Sequence, residues 1–222
     1  DKRGYMWIGT YNGGVGVFYG KNFQFYTKEN GLCSNNITAL CKDKNGNIWI
    51  GTYKGIEIYD GKKFKHIETK DSVFNNDDAN VIRDIICDHK GNMWVATEEC
   101  VKLFDTNPHW FGTKKFENLK LTHRKVYKLF EDSKGNIWLG TKRGKTDGFD
   151  MYNGKTIQHF VLPIKFTSGQ TQFAEDQNGK IWVGVNQFGD NPKTTIFTID
   201  KDSVNGFTAP LFNQFSTNDL LF

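Results

Sequence analysis

The sequence predicts an all-β chain arranged as a five-bladed β-propeller with four antiparallel strands per blade. Three observations carry that prediction. One motif returns along the whole chain at intervals of 42 to 45 residues. Apolar and polar side chains alternate between Gly-bearing turns, and no stretch shows sustained helical periodicity with caps. The motif reads Asp43-Lys44-Asn45-Gly46-Asn47-Ile48-Trp49-Ile50-Gly51-Thr52 and recurs from Asp88 to Thr97. It appears again from Asp132 to Thr141, from Asp176 to Gly184, and from Asp1 to Thr10. The repeat tryptophans are Trp7, Trp49, Trp94, Trp138 and Trp182, and only Trp110 stands outside the series.

The second copy shows the elements in order. Ile37-Thr38-Ala39-Leu40-Cys41 is a first apolar-rich run, closed by Asp-x-x-Gly. Asp suits that turn because its carboxylate bonds nearby backbone, and Gly because it accepts positive φ. Asn47–Thr52 alternates as a second strand and ends at Tyr53-Lys54-Gly55. Ile56–Tyr59 is the third, stopped by the hairpin signal Asp60-Gly61, and Lys63–Ile67 is the fourth. Four short strands every 40–45 residues or so is the pattern of a propeller blade. A lone sheet leaves both faces bare, so stacked blades must bury the Trp, Phe and Ile side chains between them.

The expected domain is single, 1–222. Its C-terminal run Ser216–Phe222 resembles Ser34–Leu40, which predicts that this strand joins the first blade, supplies its missing inner strand and closes the ring. A segment of a longer repeat array is the alternative reading of the same repeats.

Composition excludes several classes. No apolar run reaches the roughly 18 residues of a membrane helix. A net charge of +4, dispersed along the chain, gives no reason to expect nucleic-acid binding. Cys33, Cys41, Cys87 and Cys100 contain no C-x-x-C pair and read as thiols ahead of disulfides. The histidines, His66, His89, His109, His123 and His159, lack metal-binding spacing, so neither metal nor cofactor is expected. The repeated aspartates read as turn residues rather than calcium ligands.

The run Asp-x-x-Gly-Asn-Ile-Trp-Ile-Gly-Thr-x-x-Gly-Ile-x-x-Tyr-Asp-Gly, with Gly31-Leu32-Cys33-Ser34-Asn35-Asn36-Ile37 before it, resembles the two-component regulator propeller repeat. The fifth copy departs, with Val185 in place of Thr and an insertion over 186–193. The resemblance implies a periplasmic or extracellular sensing or interaction module of bacterial hybrid two-component systems, often for carbohydrate-derived signals. It implies a binding protein rather than an enzyme, with a signalling protein as a possible partner.

Function is placed on loops held by a rigid scaffold. The turns between second and third strands carry Tyr11, Asn12, Tyr53, Lys54, Glu98, Glu99, Lys142, Arg143, Asn186, Gln187 and Phe188. These positions change from copy to copy while the framework does not. Tyr faces stack on sugar rings, and the polar residues bond hydroxyls, so the set suits a small polar ligand or oligosaccharide. Ordinary variable surface is the plain alternative. Residues of the inter-blade links, Asn35, Asn36, Asn80, Arg124, Ser168, Gln170 and Asn218, are further candidates for the mouth, with backbone capping the expected role of Asn35 and Asn36. A propeller lyase, the remaining alternative, needs converging His and Glu, and His123 alone lies near such a link. Trp110-Phe111 reads as local packing.

Overall fold

The structure, a computed structural model, describes residues 1–67, 80–98, 100–104, 113–115, 121, 125–141, 148–162, 169–187, 193–200 and 203–207. The chain divides into two compact units, Asp1–Phe116 and Glu117–Phe222. The expected closing strand, 216–222, and Trp110-Phe111 lie outside the described residues.

The first unit holds three antiparallel sheets. The first comprises β1 (Met6–Gly9), β2 (Val15–Phe18) and β3 (Phe23–Tyr26). A single 3₁₀ turn, Lys28–Asn30, capped by Thr27, leads onward. The second sheet comprises β4 (Ile37–Lys42), β5 (Ile48–Thr52), β6 (Gly55–Tyr59) and β7 (Phe64–Ile67). The third comprises β8 (Ile82–Cys87), β9 (Met93–Thr97), β10 (Val101–Phe104) and β11 (Thr113–Lys115).

Two sheets make up the second unit. One is β12 (Val126–Glu131), β13 (Ile137–Thr141), β14 (Gly148–Tyr152) and β15 (Ile157–Val161). The other is β16 (Gly169–Glu175), β17 (Ile181–Gln187), β18 (Lys193–Asp200) and β19 (Ser203–Phe207). Strands follow chain order in every sheet. The chain is therefore all-β, with a four-stranded meander repeated and a three-stranded first copy.

The motif explains itself in hydrogen bonds. Asp88 accepts the Asn92 backbone N–H on Oδ1 (2.8 Å), and the Asn92 side chain (2.8 Å) and Trp94 indole Nε1 (2.9 Å) on Oδ2. The arrangement recurs at Asp43 with Asn47 and Trp49, and at Asp132 with Asn136 and Trp138. Asp176 accepts from Trp182 and Asp1 from Trp7 in the same way. One carboxylate thus closes the turn and satisfies an indole N–H six residues on, which is why Asp and Trp recur together. Every one of these carboxylates is occupied by protein donors, as turn closure requires.

Within each unit the core lies between successive sheets. Val15 and Val17 pack with Leu32, Ile48 and Ile50 between the first two, and Trp49, Ile56 and Ile58 with Ile82, Ile85 and Met93 between the next two. In the second unit, Trp138, Phe149 and Phe160 meet Phe173, Val183 and Phe197. Gly51 permits the approach of the neighbouring sheet: a Cβ there would stand 2.6 Å from Ile82 Cγ2 and 3.2 Å from Ala39 Cβ. The first sheet differs on one face. Met6 and Ile8 are 60% and 38% exposed beside exposed Phe23 and Phe25, whereas their counterparts Ile48 and Ile50 are buried.

Candidate functional site

Antiparallel order puts the second-to-third turns and the inter-blade links at the same end of each sheet, opposite the Asp turns. In the first unit this rim is well defined. Tyr11 and Tyr53 meet edge to face, centroids 6.1 Å apart, although they belong to different sheets. Tyr11 is 69% exposed, so its ring faces solvent. Asn12 has φ +68°, a left-handed conformation Asn tolerates, and its N–H donates to Asn36 Oδ1 at 2.9 Å. Asn35 Oδ1 accepts from Lys28 N at 2.8 Å, so both asparagines cap loop backbone. Lys54 N donates to Thr52 Oγ1 and its side chain is exposed. Glu98 accepts from Arg83 Nε at 2.6 Å and is ion-paired with the same guanidinium.

Arg83 went unrecognised in the sequence. β4, β8 and β12 each shift register near their start, between Ile37 and Ala39, Ile82 and Asp84, and Val126 and Lys128. The bulged residues are Thr38, Arg83 and Tyr127. Bulges re-aim side chains and concentrate beside binding sites. The Thr38 hydroxyl is buried without a hydrogen-bond partner among the described residues.

In the second unit the expected turn at Asn186-Gln187 is corrected. Both belong to β17, where Asn186 pairs with Thr194 and Gln187 with Lys193. The insertion lengthens the hairpin, because extending the ladder pairs backbone groups a loop would leave open. Asn186 is buried and accepts from Thr194 Oγ1 at 2.9 Å. Gln170 lies in β16 opposite Asn186, half-buried. Glu99, Arg124, Lys142, Arg143, Ser168, Phe188 and Asn218 lie outside the described residues, as do His109 and His123.

A second cluster also escaped the sequence reading. Glu57 on β6, 1% exposed, stands opposite Ile50 and His66 in register and so faces the first sheet. It accepts from Cys33 N on Oε1 at 3.0 Å, and His66 Nδ1 lies 3.0 Å from the same oxygen. Cys33 Sγ is 3.2 Å from Thr52 Oγ1. Burial pushes the Cys33 thiol up to about 12, and hydrogen bonding and charge from Glu57 add to the rise. Asp150 and His159 repeat the acid–histidine pair on β14 and β15 at 2.6 Å. Register opposite a hairpin turn was the signal available for both pairs. All four cysteines are thiols.

Antiparallel meanders of three or four strands, stacked face to face within each unit, define a propeller-type repeat architecture. Three segments, 31–54, 77–99 and 120–143, match the two component regulator propeller family. It is similar to the extracellular domain of the putative hybrid two component system BT3049 from B. thetaiotaomicron, at 26% identity and TM-score 0.64 over 82% of this chain and 25% of that one. The extracellular domain of BT4673 from the same organism shares the fold at 20% identity and TM-score 0.67, over 96% of this chain and 36% of that one. The gluconolactonase XC5397 from Xanthomonas campestris shares it at 9% identity and TM-score 0.53, over 76% of this chain and 60% of that one. This chain therefore spans a quarter to about a third of the two-component domains it matches. No curated protein matches it. No helix among the described residues is long and apolar enough to cross a membrane.

Proposed function

We propose that the chain is part of an extracytoplasmic sensor of the two-component type, binding a polar, carbohydrate-like ligand at its variable rim without catalysis. The observation that carries this reading is the family's repeat, joined to a 26% identical extracellular domain of a hybrid two component system. The paired Tyr11 and Tyr53 rings, the Arg83–Glu98 pair and the polar residues beside them support the ligand class. Sugars are met by such combinations of ring faces and oriented hydrogen-bond groups.

The reading includes a single propeller domain, 1–222, closed into five blades when 216–222 pairs beside β1. The rim candidates of the second unit belong to it as well: Arg124, Lys142, Arg143, Ser168, Gln170, Asn186 and Gln187, with Glu99 from the first. A glycan array tests the ligand class. Saturable binding to an oligosaccharide family supports it, and silence across plant, host and microbial glycans overturns it.

A protein-interaction role is the second reading, favoured by the bare apolar face of the first sheet. Light scattering distinguishes it. Self-association lost in Phe25→Glu supports this role, and a monomer at high concentration contradicts it.

A further inference from the structure

We propose that Cys33, Glu57 and His66 bind one divalent transition ion of the zinc type. Their donor atoms, a sulfur, a carboxylate oxygen and a ring nitrogen, all lie within 4.8 Å of one another. A tetrahedral ion with bonds of about 2.0–2.1 Å to N and O holds those atoms roughly 3.3 Å apart. His66 Nδ1 and Glu57 Oε1 stand 3.0 Å apart already. An ion taking the place of the hydrogen between them needs only a small outward movement. The sulfur then closes in from the link above.

The donor set selects the metal. One thiol, one imidazole and one carboxylate suit zinc or cobalt(II) and disfavour the all-oxygen ions calcium and magnesium. Strand pairing and loop hydrogen bonds hold the backbone of all three residues. Glu57 and His66 face each other on the paired strands β6 and β7. Cys33 is held in a capped link, where Leu32 N donates to Thr27 O at 3.0 Å and Asn36 N to Ser34 Oγ at 3.1 Å. The Cys33 N–H also fixes the carboxylate, the outer support that metal ligands usually have. His66 is 36% exposed, which gives an ion a route from solvent and leaves a fourth position for water.

The fourth copy supplies an internal control. Asp150 and His159 reproduce the acid–histidine pair, but the sequence places Thr122 where the second copy has Cys33. The acid–histidine pair is thus shared by the second and fourth copies, and the sulfur is what turns one of them into a metal site.

Titration of the chelator-treated full chain with Co²⁺ tests this. The expected result is one equivalent bound, with a sulfur-to-cobalt charge-transfer band and the visible bands of a four-coordinate ion. Cys33→Ser abolishes the charge-transfer band. His66→Gln, at an exposed position that folding tolerates, weakens binding by about tenfold or more. His159→Gln changes neither. Absence of the band in the unaltered protein overturns the proposal, and so does a band that survives Cys33→Ser or is indifferent to His66→Gln.

Discussion

The two ends of each sheet are built on opposite rules. At the Asp-turn end, Asp43, Asp88 and Asp132 make the same bonds to Asn and Trp in copy after copy. At the opposite end, the equivalent positions hold Tyr11, Tyr53 and Glu98, each with different neighbours. The first end carries the stability of the repeat, because losing one carboxylate orphans a buried indole and two turn donors. The second is free to vary because its turns are closed by Thr hydroxyls, as in Thr52 Oγ1 to Gly55 O at 2.9 Å, and not by the residues that vary. Function is expected where the repeat lets go of its own sequence.

The largest test of that contrast is Asp88→Ala. It leaves the Trp94 N–H, on a residue 4% exposed, without its acceptor and removes turn closure as well. A loss of about 3 kcal/mol is expected, read as a lower urea midpoint. Gly51→Ala comes next. The added methyl meets Ile82 and Ala39, and overpacking of this kind costs about 1–3 kcal/mol. A midpoint unchanged by Asp88→Ala would break the contrast, and one unchanged by Gly51→Ala would contradict the close approach of the neighbouring sheet.

Acid sharpens it further. Burial works to raise Asp88, but hydrogen bonds from Asn92 and Trp94 outweigh it and leave the carboxyl below its ordinary range. The Trp182 indole bond does the same for Asp176. Groups depressed in the folded state stabilise fully above the unfolded carboxylate value of about 3.9, and that stability drains as pH falls through the folded value. Thermal midpoints should hold from neutral pH to about 5 and fall below about 4. Asp88→Asn should flatten the fall, and an equally steep fall in that variant would contradict the assignment.

Much of this was legible beforehand because it is local. Ile37–Cys41 was expected as a strand and is β4 to within a residue, since Asp43 and Gly46 mark its end. Asp60-Gly61 fixed the β6–β7 hairpin in the same way. What could not be read depends on register or distant approach. Asn186 and Gln187 pass for a turn until the ladder is seen to run through them. Arg83 reaches Glu98 because a bulge turns it, and nothing in a linear pattern marks a bulge there. Cys33 meets Glu57 and His66 across 24 and more residues, where the link before β4 lies against β6 and β7.

The smallest effect on stability should come with the largest on binding. Tyr11→Ala with Tyr53→Ala removes the exposed Tyr11 ring and the half-buried ring it meets, and should change the free energy of unfolding by under about 0.5 kcal/mol. Thermal-shift measurement of the unaltered protein and this double variant, each against the same oligosaccharide panel, tests the central claim most directly. The unaltered protein should be stabilised by at least one oligosaccharide, and the variant should melt at the same temperature without ligand but lose the shift. A panel that stabilises neither protein, or a shift that survives without both tyrosines, would contradict it.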